Sequence, residues 1–313
     1  MNDIDYTGSG PYCYTHSLAM VLGPGAPGPS VIETLTGSAF GAQLAGGTVP
    51  FFDPYGWDPE VGLDDAIGLL GLRCARTCGG TPEEALARLR AACARGPALV
   101  GPVDMGMLLY HPGTPWPPEP GGSDHYVVAL EADEDSVLLH DPHGHPYATL
   151  PTGDFLTAWQ GSTVTYTDAP YVMRTDFVRV REVAAEEALR AVLPGAVAWL
   201  GGRADRPVPA GTLGGAAALE ALAVQVEDGL DPGVQGLLEH FAVRVGVRRL
   251  ADASTSLLPL GLPTSARLLL TQSRLLGAVQ HPLTRGDTGT TAHLLRELAP
   301  TYAQLRETLQ KEL

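Results

Sequence analysis

A chain of 313 residues with 44% hydrophobic and 18% charged side chains is long enough to bury two domain cores. Its formal net charge of −15 at pH 7 excludes a general nucleic-acid binder, whose phosphate contacts need a basic face. No run of about 18 apolar residues is present, which excludes a transmembrane helix. Met1-Asn2-Asp3-Ile4-Asp5 lacks the basic-then-apolar pattern of a signal peptide. Four cysteines are too few for a disulfide framework in a chain this long, so a cytoplasmic, reducing location is expected.

The first predicted element is a helix over residues 13–22. Its apolar residues Leu18, Met20, Val21 and Leu22 follow Gly8, Gly10 and Pro11, which cannot continue a helix backwards. Cys13 falls in its first turn, where unsatisfied N–H groups and the helix dipole favour a thiolate, the form that attacks carbonyl carbon. The breaker-rich residues 23–30 end this helix, and Ser30 is positioned to cap a short second one through Leu35. The glycine-rich stretch 37–47 lacks the lysine of a phosphate-binding loop. It carries Gln43, a side-chain amide able to donate to an oxyanion. Trp57-Asp58-Pro59-Glu60 reads as a turn into a helix, and Thr81-Pro82-Glu83-Glu84 as the capped start of another that ends near Ala94. Cys93 is expected in the core; Cys74 and Cys78 lack a second ligand pair at zinc spacing. Residues 98–104 read as a buried strand and 110–122 as a surface loop.

Two β-rich runs, 125–130 and 136–141, flank an acidic turn and predict a hairpin. His125 opens the first and Asp141 closes the second, so pairing brings both to one end. An imidazole oriented by a carboxylate beside a helix-opening thiol is the cysteine form of the nucleophile, base and orienter triad: Cys13, His125 and Asp141. His140, His143 and His145 cluster around Asp141 and raise a metal reading; the triad already accounts for Asp141, and no metal is assigned. A short helix over 154–159 and closing strands at 163–166 and 171–181 complete a first domain, 1–182. Beyond it, helical spacing at 184–200, 212–228, 233–250, 264–281 and 288–311 predicts an all-α domain, 183–313. Covering the cleft, binding a partner and forming a homo-oligomer are the roles open to that domain.

Residues 1–182 carry a net charge of −14 and residues 183–313 only −1. An acidic surface around a cleft concentrates a cationic substrate, although it also keeps a domain soluble.

Cys13 at a helix start, His125 opening a strand and Asp141-Pro142 resemble the papain-type fold in its double-glycine-peptidase-like form. With the glycine-rich 37–47 segment, Trp57-Asp58, Asp104 and a helical C-terminal domain, the chain more closely resembles the family of the butirosin side-chain acyltransferase. That resemblance implies an α+β, papain-like N-terminal domain and transfer of an acyl group, in antibiotic biosynthesis, from an acyl carrier protein thioester through Cys13 to an amine of a cationic, aminoglycoside-like acceptor. No cofactor is implied beyond the carrier's own phosphopantetheine. Papain-type peptidases place a glutamine about six residues before the cysteine, whereas Tyr6, Thr7 and Gly8 stand there here. Tyr12, Gln43 and Asp104 are therefore the candidates for oxyanion or substrate contact. Hydrolysis or peptide cleavage, chain release by ring closure, and non-catalytic binding remain alternatives. An acidic carrier needs a basic dock, for which Arg88, Arg90 and Arg95, or Arg244, Arg248 and Arg249, are the available clusters.

Overall fold

The computed structural model describes residues 11–114, 117–167, 169–203 and 205–313. Tyr6, Thr7, Gly8 and Gly10 lie outside the described residues. Cys13 is the first residue of helix α1 (Cys13–Leu22), and Gly23 at φ +75° closes it by donating its N–H to Ala19 and Met20.

The chain divides into two compact units, each mixing helix and strand, with the C-terminal region mainly helical. The first comprises residues 1–29 and 71–182. It is built on a six-stranded antiparallel sheet of β3 (Leu72–Thr77), β4 (Ala98–Asp104), β5 (Asp124–Ala132), β6 (Ser136–Asp141), β7 (His145–Pro151) and β8 (Met173–Arg179), in the order β3-β8-β4-β5-β6-β7. Residues 125–130 of β5 are all buried, because both sheet faces are covered. Val128 and Leu130 pack against Met20 of α1. Val127 and Ala129 join a second core with Leu89 of α4 (Pro82–Cys93) and Phe155 and Trp159 of α5 (Thr152–Trp159). The capping box forms at α4 as its sequence predicts: Glu84 N–H donates to Thr81 Oγ1 at 3.3 Å, and Thr81 N–H to Glu84 Oε2 at 2.9 Å. Residues 163–166, expected as a strand, form turns, and β8 supplies the closing strand.

A break at residue 182 alone does not describe the units: residues 30–70 belong with 183–313. Their apolar side chains are consumed there. The α-carbon of Gly246 stands so close to Phe52 that an added Cβ would lie 2.5 Å from it, and Gly37 is nearly as tight under Trp199. This segment contributes α2 (Pro29–Leu35), β1 (Gln43–Ala45), β2 (Val49–Phe51) and α3 (Pro59–Leu69), the last capped by Asp58. Ser30 sits inside the first turn of α2 rather than capping it. The strand pair β1–β2 takes on β9 (Leu213–Gly214) as a third strand. The remaining helices are α6 (Ala185–Leu200), α7 (Gly215–Asp228), α8 (Pro232–Leu237), α9 (Val243–Leu257), α10 (Pro263–Thr284) and α11 (Thr288–Glu312), with a π-turn at Leu238–Ala242 joining α8 to α9. Among the described residues no helix is long and apolar enough to cross a membrane.

A buried charge cluster pins the inserted segment to α9. Arg249 donates to Glu33 Oε1 and to Asp53 Oδ2, both at 2.9 Å, with side chains 1–8% exposed. Removing the cation strands two carboxylates in the core. Arg249→Met is therefore expected to cost about 3–5 kcal/mol of stability, read from urea unfolding; a loss under about 1 kcal/mol would overturn that account.

Candidate active site

Cys13, His125 and Asp141 all lie within the first unit. Helix α1 presents Cys13 half-buried at its N-terminus; its first turn holds no acidic residue, and among the described residues no side chain caps it. Val103 of β4 pairs with His125 and Val128 of β5 pairs with His140, which leaves His125 and Asp141 at the same end of the β5–β6 hairpin. His125 Nε2 lies 2.7 Å from Asp141 Oδ1. Cys13 acts electrostatically on the His125 ring; with Nε2 on Asp141, Nδ1 is the ring nitrogen left for another partner. Burial by itself would lower the His125 pKa; the negative charges of Cys13 and Asp141 and their hydrogen bonds outweigh it and raise the value from 6.5 to about 10. Burial would likewise raise Asp141, but His125 and donors from His111 and the His143 backbone hold its carboxyl well below the usual range.

Asp141 is fully buried and holds more than His125. Its Oδ2 accepts from Tyr110 Oη at 2.9 Å and lies 2.6 Å from His111 Nε2, while Oδ1 also accepts from His143 N–H at 2.7 Å. In the sequence Tyr110 and His111 belong to an anonymous loop, since nothing in their spacing ties them to residue 141. Asp104 is what brings them in. Its carboxylate accepts from the N–H groups of Gly106, Gly121 and Gly122 and from Thr163 Oγ1, which folds the loop back on itself. Gly106 packs so closely that a Cβ would meet Glu119 O and Gly121 N at 2.9 Å. Asp104 is thus a loop anchor, a different role from the oxyanion or substrate contact expected of it.

The expected trio of histidines after β6 separates. His140 is fully buried, and its Nδ1 accepts from Tyr147 N–H at 3.1 Å. His143 and His145 instead face His111, with ring centroids 5.4 and 4.9 Å away.

Gln43 lies in the second unit with its amide engaged: Nε2 donates to Asp53 Oδ1 at 2.7 Å, and Oε1 accepts from Gly56 N–H at 3.2 Å. An amide so committed ties β1 to the segment 53–57 and does not line an oxyanion hole. Tyr12 is 2% exposed and stacks on His16, so it packs the base of α1. The arginine clusters are largely consumed as well. Arg90 pairs with Glu134, Arg95 with Asp176 and Arg248 with Asp252, and Arg249 is buried. Pairing cancels most of the charge a docking patch would need.

Two comparisons place the chain among known sequences. Residues 209–310, inside the helical region, match the YobF C-terminal domain family. The chain is 31% identical over 164 residues to the uncharacterized protein YobF of Bacillus subtilis (strain 168). That match takes in 51% of this chain and 52% of the relative, so the chain spans about half the length of the curated relative it matches. The similarity is thus to YobF and its C-terminal domain family.

Proposed function

We propose that the chain is a cysteine-dependent acyltransferase whose first unit works as a papain-like catalytic domain. One observation carries the reading: a cysteine at a helix N-terminus acts on a histidine that a buried aspartate holds at 2.7 Å. In the first half-reaction the Cys13 sulfur, its proton held on His125 Nδ1, attacks the carbonyl carbon of a carrier-protein thioester. The C–S bond to the carrier breaks, and His125 returns the proton to the departing thiolate. The backbone N–H of Cys13, at the positive end of α1, supplies a donor to the oxyanion. In the second half-reaction an amine attacks the acyl-Cys13 carbonyl, His125 takes its proton, and the thiolate is released as the amide forms.

Thioester exchange is nearly balanced in free energy, and amide formation draws the sequence forward. The unit that holds Cys13, residues 1–29 and 71–182, has 8 basic against 16 acidic residues, a net charge of −8 that favours a cationic amine acceptor. Intact-protein mass spectrometry with a panel of acyl-pantetheine and acyl-carrier thioesters tests this. The expected result is an acyl adduct on Cys13 that persists in buffer and vanishes when an amine is added. An adduct lost as fast to water would make the enzyme a hydrolase, and no adduct from any thioester would overturn the acyltransferase.

A further inference from the structure

Asp141 is a carboxylate clamped between two imidazoles, and three of the best transition-metal ligands thereby share one small volume. One ligand atom from each of His111, His125 and Asp141 lies within 4.8 Å of the other two. The side chains of His111, His125 and Asp141 are 9%, 5% and 0% exposed. Two imidazoles and one carboxylate are a donor set that zinc and similar divalent ions take with positions left open.

We propose that this trio binds a divalent transition-metal ion of the zinc type, and that the bound ion switches the site off. The inference rests on the acyl-transfer reading above, whose base it removes. Zinc bonds of about 2.0–2.2 Å set neighbouring ligand atoms roughly 3.3 Å apart in a tetrahedron. His111 Nε2 lies 2.6 Å from Asp141 Oδ2 and His125 Nε2 lies 2.7 Å from Oδ1, so whichever oxygen takes the ion, the imidazole already hydrogen-bonded to it must draw back by about half an ångström. His111 sits on the loop that Asp104 anchors, away from regular structure, and is the ligand placed to move. His143 is exposed and His145 half-buried beside His111, forming a line of imidazoles from solvent to the trio.

The inhibition follows from proton placement. With the ion on His125 Nε2, the neutral ring keeps its single proton on Nδ1. It can then accept none from Cys13 or from the amine, and Asp141 no longer orients it.

Titration calorimetry with zinc chloride on the full chain, using Cys13→Ser so that the thiolate takes no part, tests the assignment. Cys13→Ser is expected to bind one zinc, and adding His111→Ala to it should weaken binding by more than the roughly 10–100-fold that losing an outer-shell partner costs. His111→Asn and a thermal melt guard against misfolding. Cobalt(II) added to the wild-type chain should give visible bands of a nitrogen and oxygen site without a sulfur-to-cobalt charge-transfer band. In the wild type, zinc should block the Cys13 acyl adduct and EDTA should restore it.

No zinc binding by Cys13→Ser, binding insensitive to His111, or a cobalt–thiolate band would each overturn the metal site. If zinc binds as described but Cys13 never acquires an acyl group, the acyltransferase falls and the metal site stands. If Cys13 acylates and zinc does not bind, the reverse holds.

Discussion

On the proposed mechanism, Cys13→Ala is expected to abolish acyl-adduct formation and to lower any acyl transfer by at least about 10⁴-fold, because it removes the sulfur assigned to carry the acyl group. Cys93 does not replace it: it is buried in the sheet core, and burial, followed by the negative charge of Glu131, pushes its thiol up to about 12. Cys13, by contrast, is half-buried at the start of α1 and acts on the His125 imidazole. Cys78, exposed with Arg76 Nη1 3.8 Å from its sulfur, is the natural competitor for a thiol reagent, so alkylation should show two phases. The fast phase should disappear in Cys13→Ala and the slow one in Cys78→Ser, read by peptide mapping after iodoacetamide. A fast phase that survives Cys13→Ala would remove Cys13 as the nucleophile.

What can be read from the sequence follows from the range of each signal. The α4 start is legible because Thr81 and Glu84 speak across three residues of local backbone. The long helices beyond residue 183 are legible because a 3.6-residue period repeats over many turns. The meeting of His125 and Asp141 is legible because they stand at the ends of strong elements that one hairpin brings together. Three things have no such signal. Strands β1, β2 and β9 are two or three residues long, too short for any period. The assignment of residues 30–70 to the second unit depends on Phe52 and Asp53 meeting Gly246 and Arg249, which stand about 200 residues away. His111 reaches Asp141 only through a loop whose shape is set by Asp104 and glycine N–H groups. Gln43 shows the converse: a polar residue in a glycine-rich stretch looks available, yet a buried carboxylate has taken its amide.

Asp141→Asn should have the second-largest effect, and on two quantities at once. Asp141 takes Tyr110 Oη, His111 Nε2, His125 Nε2 and the His143 N–H, whereas an asparagine offers one oxygen and turns an NH₂ toward donors. At least two buried donors lose their acceptor at about 1–3 kcal/mol each, so the variant should be several kcal/mol less stable near neutral pH. The deficit should depend on pH in a defined direction. Asp141 titrates in the folded state below its ordinary 3.8, so its charge stabilises the fold above about pH 4, and that contribution fades as pH falls further. The gap between wild type and Asp141→Asn should accordingly narrow in acid. His125 has the opposite sign: raised from 6.5 to about 10, its contribution is full below 6.5 and is lost as pH rises through 10. Without Asp141, one of the two charges holding that proton is gone. In the acyl-transfer assay an alkaline limb of kcat/KM expected near pH 10 for the wild type should move to lower pH, and kcat should fall by about 10²–10⁴-fold as the ring loses its fixed orientation. Because the pair titrates as a unit, the displacement of the limb rather than a residue's own pKa is the quantity to measure. An Asp141→Asn enzyme with lowered stability but an unmoved limb and unchanged kcat would make Asp141 a packing residue and reduce the triad to Cys13 and His125.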